Sequence, residues 1–155
     1  MQDKRAGPNE EERPVKITSI LASLAVTAMV SATPALAEMQ TYKAVLNAAN
    51  QVPANDSKAT GALTASYDTA TKKLTYNVTY TGLSGPATAA HFHGPADAKS
   101  NAGVAVGAKD VATSPIKGEA TLTDAQAADL MAGKWYFNIH TEKNKGGEIR
   151  GQVMK

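Results

Sequence analysis

Leu74-Thr75-Tyr76-Asn77-Val78-Thr79-Tyr80-Thr81 alternates large apolar residues with small polar ones without a break. Successive side chains of an extended chain point to opposite faces. Leu74, Tyr76, Val78 and Tyr80 therefore share one face, and Thr75, Asn77, Thr79 and Thr81 the other. β-Branched and aromatic residues suit a pleated, half-buried surface, so a period of two predicts a strand with core on one side and solvent on the other. Polar turn residues at 68–72 and Gly82-Leu83-Ser84-Gly85-Pro86 bound it.

The same pattern extends outward from this strand. Upstream, 41–47 sets Tyr42, Ala44 and Leu46 against Lys43, Val45 and Asn47, and 59–67 reads as a small, threonine-rich strand; 51–57 between them is turn chemistry. Downstream, 88–94, 104–106 and 116–122 read as short strands, with a loop at 95–101. One helix is predicted over 125–131. Thr123 and Gln126 form its capping box, Gly133 suits the position after its end, and Leu130 and Met131 cover one end of the core. The chain closes with a hairpin, 135–140 and 148–153, around Asn144-Lys145-Gly146-Gly147. About eight short antiparallel strands with one short helix define an all-β, Greek-key-like β-sandwich. Tyr42, Tyr67, Tyr76, Tyr80 and Trp135 are assigned to its core or rim.

Composition narrows the function classes. Lys16, the apolar run 17–30 and Ala35-Leu36-Ala37 have the form of a signal peptide, residues 1–37, removed to leave a domain over 38–155. The apolar run is too short for a good membrane span, so a periplasmic or secreted protein is expected. The segment 38–155 carries twelve Lys and Arg against ten Asp and Glu, without a basic stripe, which argues against nucleic acid. There is no cysteine, which removes disulfides, blue-copper ligation and zinc–thiolate sites.

All three histidines fall in two short motifs, Ala90-His91-Phe92-His93-Gly94-Pro95 and Asn138-Ile139-His140-Thr141. Strand parity puts His91 and His93 on the face opposite Phe92, and Tyr136, Asn138 and His140 on the face opposite Trp135, Phe137 and Ile139. In the last strand, burying Ile149 and Val153 turns Glu148 and Arg150 outward. Simple hairpin register sets Asn138 against Arg150 and His140 against Glu148.

These motifs, with Leu130-Met131-Ala132-Gly133-Lys134-Trp135-Tyr136-Phe137 and Gly147-Glu148-Ile149-Arg150-Gly151-Gln152, resemble the CHRD (chordin) domain family over nearly all of 38–155. The resemblance implies an exported β-sandwich module, more informative about fold than about activity. The outward His-x-His strand is also similar to that of copper-zinc superoxide dismutase. That likeness covers one motif and a fold class, and the dismutase's disulfide, zinc loop, bridging histidine and fourth copper histidine have no counterpart here.

Two readings of the histidines follow. In one, His91, His93 and His140 hold a single metal ion, copper ahead of zinc, with Glu148, Asn138 and Tyr136 behind them and Arg150 steering a small anion toward superoxide dismutase-like redox chemistry. In the other, the imidazoles form a hydrogen-bond network that pins loop 95–101, and the domain is a non-catalytic binding or adhesion module for a protein or polysaccharide.

Overall fold

The computed structural model describes residues 37–155, so all but the last position of the expected signal peptide lies outside the described residues. The strands are β1 (Met39–Asn47), β2 (Thr60–Asp68), β3 (Lys73–Thr81), β4 (Ala87–His93), β5 (Val104–Gly107), β6 (Ile116–Thr121), β7 (Trp135–Thr141) and β8 (Ile149–Val153), and α1 (Asp124–Met131) precedes β7. All-β antiparallel architecture is as expected. The two faces of the sandwich belong to one hydrogen-bonded sheet, ordered β5-β4-β7-β8-β1-β2-β3-β6.

That sheet folds over on itself. Tyr76 of β3 packs edge-on against Phe92 of β4, with ring centroids 5.1 Å apart, although the two strands lie near opposite ends of the strand order. Phe92 in turn meets Phe137 at 4.8 Å and Trp135 at 5.7 Å, so an aromatic cluster fills the space between the two halves. Tyr42, Leu46, Leu63, Leu74, Val78 and Ile149 complete the interior, all buried. β1 and β3 keep the alternation: Thr75, Asn77 and Thr79 are exposed, and so is Val45 opposite the core face of β1.

Local signals hold where a cap or turn requires them. The Thr123 hydroxyl accepts from Gln126 N–H while the Gln126 side chain accepts from Thr123 N–H, and Gly133 takes a φ of 69° just past the helix. Ala127 and Leu130, three apart, face the core. Met131 is about half exposed, a correction to its expected place beside Leu130 that follows from the 100° turn between neighbouring helical residues. A 3₁₀ turn at Ala48–Asn50, capped by the Asn47 side chain, was not evident in the sequence.

Gly94 lets β4 leave the sheet against Trp135. A Cβ there would collide with Cδ1 of the indole and lie 2.8 Å from its Nε1 and 2.9 Å from the Lys134 carbonyl oxygen. Gly94→Ala is expected to cost about 1–3 kcal/mol by overpacking, seen as a lower urea midpoint at unchanged slope. An unchanged midpoint would mean that the indole can move aside freely.

Candidate metal centre

Four polar side chains on two neighbouring strands build the site. His91 and His93 alternate with core residue Phe92 on β4, and Asn138 and His140 alternate with core residue Ile139 on β7. The β4–β7 ladder sets His91 opposite Asn138, His93 opposite Tyr136 and Ala89 opposite His140. All three imidazoles consequently stand on the non-core face, as parity requires. One nitrogen from each ring lies within 4.8 Å of the others.

The distances lie close to those of a coordination shell. Metal–imidazole bonds of about 2.0–2.1 Å put ligand nitrogens roughly 3.3 Å apart around a tetrahedral ion and at most about 4.2 Å apart. His91 Nδ1 and His140 Nε2 are already 3.3 Å apart. Closing the third ring onto the same ion needs a movement on the order of 1 Å, within reach of a small χ adjustment.

Each ring has a different anchor. His93 Nδ1 donates to the Ala102 carbonyl at 2.9 Å, and His140 Nδ1 donates to the Lys145 carbonyl at 2.8 Å. Such a bond fixes the tautomer and turns Nε2 inward as a lone pair. Among the described residues, the His91 ring has one hydrogen-bond contact, with His140, and meets the His93 ring edge-on at 5.4 Å. Burial pushes the pKa of His91 down, as do the neighbouring imidazoles; burial also lowers that of His93, outweighing its hydrogen bonds. Both rings are therefore held in the neutral form a metal needs.

The hairpin register is as expected at Asn138 opposite Arg150. The outward exposure of Glu148 and Arg150 is not: Glu148 is 0% and Arg150 1% exposed, because loops cover this face. The Arg150 guanidinium donates to the Asp97 and Ser100 carbonyls at 3.1 and 2.8 Å and to Asn101 Oδ1 at 2.9 Å. It also lies 3.4 Å above the Tyr136 ring, while His93 stacks in parallel with that ring at 4.8 Å. Arg150 thus ties a loop to the sheet and offers no exposed charge to an anion.

Glu148 is likewise turned from the role expected of it. Its carboxylate accepts from Ser57 Oγ, Ser84 Oγ and Thr141 Oγ1, each at 2.6 Å, and from Ser84 N–H at 2.8 Å, with no imidazole among its partners. Burial works to raise its pKa, but these four donors hold it at about 2. Asn138, by contrast, meets two rings: Oδ1 is 3.1 Å from His93 Nε2 and 3.0 Å from His140 Nε2. Tyr136 grips the Ala102 backbone through its hydroxyl and orients His93 by stacking.

Ser57, Ser84 and Thr141 had no mark in the sequence, since they reach Glu148 from separate segments. The carbonyls of Ala102 and Lys145 were equally hidden, because a backbone acceptor has no residue signature.

A cluster of three imidazoles on the loop-covered face of a folded-over antiparallel sheet defines an all-β domain able to hold a metal ion. Residues 42–153 match the CHRD domain model, and the chain belongs to that family. No curated protein and no solved structure matches it. Among the described residues, no helix is long and apolar enough to cross a membrane.

Proposed function

We propose that this CHRD domain is exported to the periplasm or beyond the cell and binds one copper ion through His91, His93 and His140. The observation that carries the reading is the division of labour in two of the rings: Nδ1 bonds a backbone carbonyl and Nε2 points into the cluster. Loop anchoring and metal binding then use different nitrogens and do not compete. An all-imidazole set without thiolate suits copper(II) or zinc(II), and the usual affinity order favours copper. Redox turnover of a small oxidant such as superoxide is the extension of this reading, without an exposed arginine to draw the anion in.

The hydrogen-bond reading is favoured by one contact, the 3.3 Å approach of His91 Nδ1 to His140 Nε2, which needs no ion. A polar groove lined by residues 54–58, Gly82, Ser84, Lys143 and Asn144 would then be the place for a protein or polysaccharide partner.

Metal analysis of the exported protein after copper loading, with electron paramagnetic resonance of the oxidised form, separates the two. The expected result is one copper per chain with nitrogen coupling. His91→Ala, His93→Ala and His140→Ala should each weaken binding by roughly 100-fold or more, since one of three ligands is lost. Substoichiometric copper, or a spectrum indifferent to the substitutions, would assign the imidazoles to structure.

A further inference from the structure

Two imidazole nitrogens and an amide oxygen converge beside Asn138, and among the described residues the ring nitrogen placed to give one of them a proton is His91 Nδ1, 3.3 Å from His140 Nε2. A carbonyl oxygen only accepts, so the bonds to Ala102 and Lys145 require the hydrogen on Nδ1 of His93 and on Nδ1 of His140. In a neutral ring this leaves Nε2 bare. Both Nε2 atoms face Asn138 Oδ1, a third acceptor, at 3.1 and 3.0 Å. Acceptors aimed at one another in a buried place repel, and a cation among them converts the repulsion into coordination.

We propose that Asn138 Oδ1 is the fourth donor to the ion, making the site three imidazole nitrogens and one amide oxygen. The inference rests on the metal reading of the three histidines. The ladder explains why this residue can serve: Asn138 lies directly opposite His91 and two positions from His140 on β7, with His93 on the next diagonal. Its side chain is 3% exposed and aimed into the cluster. Three of the six edges, at 3.0, 3.1 and 3.3 Å, approach the ~3.3 Å edge of a tetrahedron with bonds near 2.0–2.2 Å, and the imidazole nitrogens, all within 4.8 Å of one another, close the rest by the same small ring movement.

The other end of the amide fits the same arrangement. Asn138 Nδ2 and Gln51 Nε2 flank one point beside Gly147, and the Gln51 nitrogen is buried without a partner. Turning the Gln51 amide end for end would place Oε1, an acceptor, on the side of Gly147 where Asn138 Nδ2 lies, an arrangement compatible with Oδ1 in the cluster. The competing arrangement turns Asn138 instead, so that Nδ2 donates to the two imidazoles. A metal would then have to displace those hydrogen bonds.

The two arrangements give opposite signs. Copper(II) and zinc(II) affinities are measured by chelator competition on the mature chain and on Asn138→Ala and Asn138→Asp, with circular dichroism to confirm folding. If Oδ1 is a ligand, Asn138→Ala binds about 10–100-fold more weakly, while Asn138→Asp, with a carboxylate oxygen at the same place, binds at least as tightly as the parent. Unchanged or tighter binding in Asn138→Ala overturns the proposal and leaves the three-histidine site standing. No binding by the unsubstituted chain overturns both. Nitrogen-15 spectra of the metal-free parent give a test that needs no variant: both His93 and His140 are expected as Nδ1–H tautomers, and an Nε2–H form of either would overturn the assignment.

Discussion

Glu148→Ala is expected to destabilise the domain by about 4 kcal/mol, because hydrogen bonds to a charged group contribute roughly 1.5–3 kcal/mol each and do not add fully. The substitution leaves Ser57, Ser84 and Thr141 hydroxyls and the Ser84 N–H facing an empty space that the carboxylate filled. Such a loss is a large part of the ~5–15 kcal/mol that holds an ordinary domain. The ion pairs among the described residues, Lys72–Asp124, Lys73–Glu119 and Lys145–Glu142, lie at the surface and cannot make up the difference.

The same carboxylate gives the stability a direction in pH. Its folded pKa of about 2 lies below the ordinary 4.5, so its contribution is complete above pH 4.5 and lost as pH falls toward 2. The shift corresponds to a loss on the order of 2–3 kcal/mol over that window. Glu148→Gln removes the titrating group and should flatten the stability profile between pH 4.5 and 2, at the cost of lower stability at pH 7. Urea unfolding of parent and variant at pH 7, 4 and 2.5 checks both points. Parallel profiles would place the acid sensitivity elsewhere.

Much of this fold was legible because its local rules agree with its global ones. The 74–81 alternation, the Thr123–Gln126 box and the His91-Phe92-His93 parity each depend on neighbours in the chain, and each is realised. The burial of the polar face was not legible. Parity says which face a side chain takes, and it says nothing of what lies over that face. The cover comes from contacts such as Ser57 with Glu148 and Ser100 with Arg150, which are 91 and 50 residues apart. No periodic pattern encodes pairings at that separation. Glu148 and Arg150 therefore read as outward charges when they are in fact the anchors of loops. The three-histidine cluster was legible because three rare residues in two strand motifs leave few arrangements. The role of Asn138 was not, since it depends on which atom of the amide turns toward the rings.

Arg150→Ala is expected to release the loop between β4 and β5, with a loss of roughly 3–4 kcal/mol, from hydrogen bonds to a charged donor and a desolvated cation–π contact. Three acceptors lose their partner together: Asp97 O, Ser100 O and Asn101 Oδ1. The Tyr136 ring loses the guanidinium over one face while His93 remains stacked against it. Arg150→Lys should recover little, since a single ammonium cannot reproduce the planar fork or the stacking. The consequence reaches the three-histidine cluster through Ala102, whose backbone carbonyl fixes the His93 tautomer and whose N–H is held by the Tyr136 hydroxyl. Hydrogen exchange of the 96–103 amides should speed up well before the β1–β2–β3 amides are affected, since β1, β2 and β3 pair along their full lengths independently of this loop. Under the proposed metal reading, copper affinity in Arg150→Ala should fall with the loss of His93 orientation, by about 10–100-fold, the range typical when a ligand's outer partner is removed. Exchange that quickens uniformly over the whole sheet would instead make Arg150 a support of the global fold. Accelerated loop exchange with unchanged copper affinity would show that His93 keeps its tautomer without the loop.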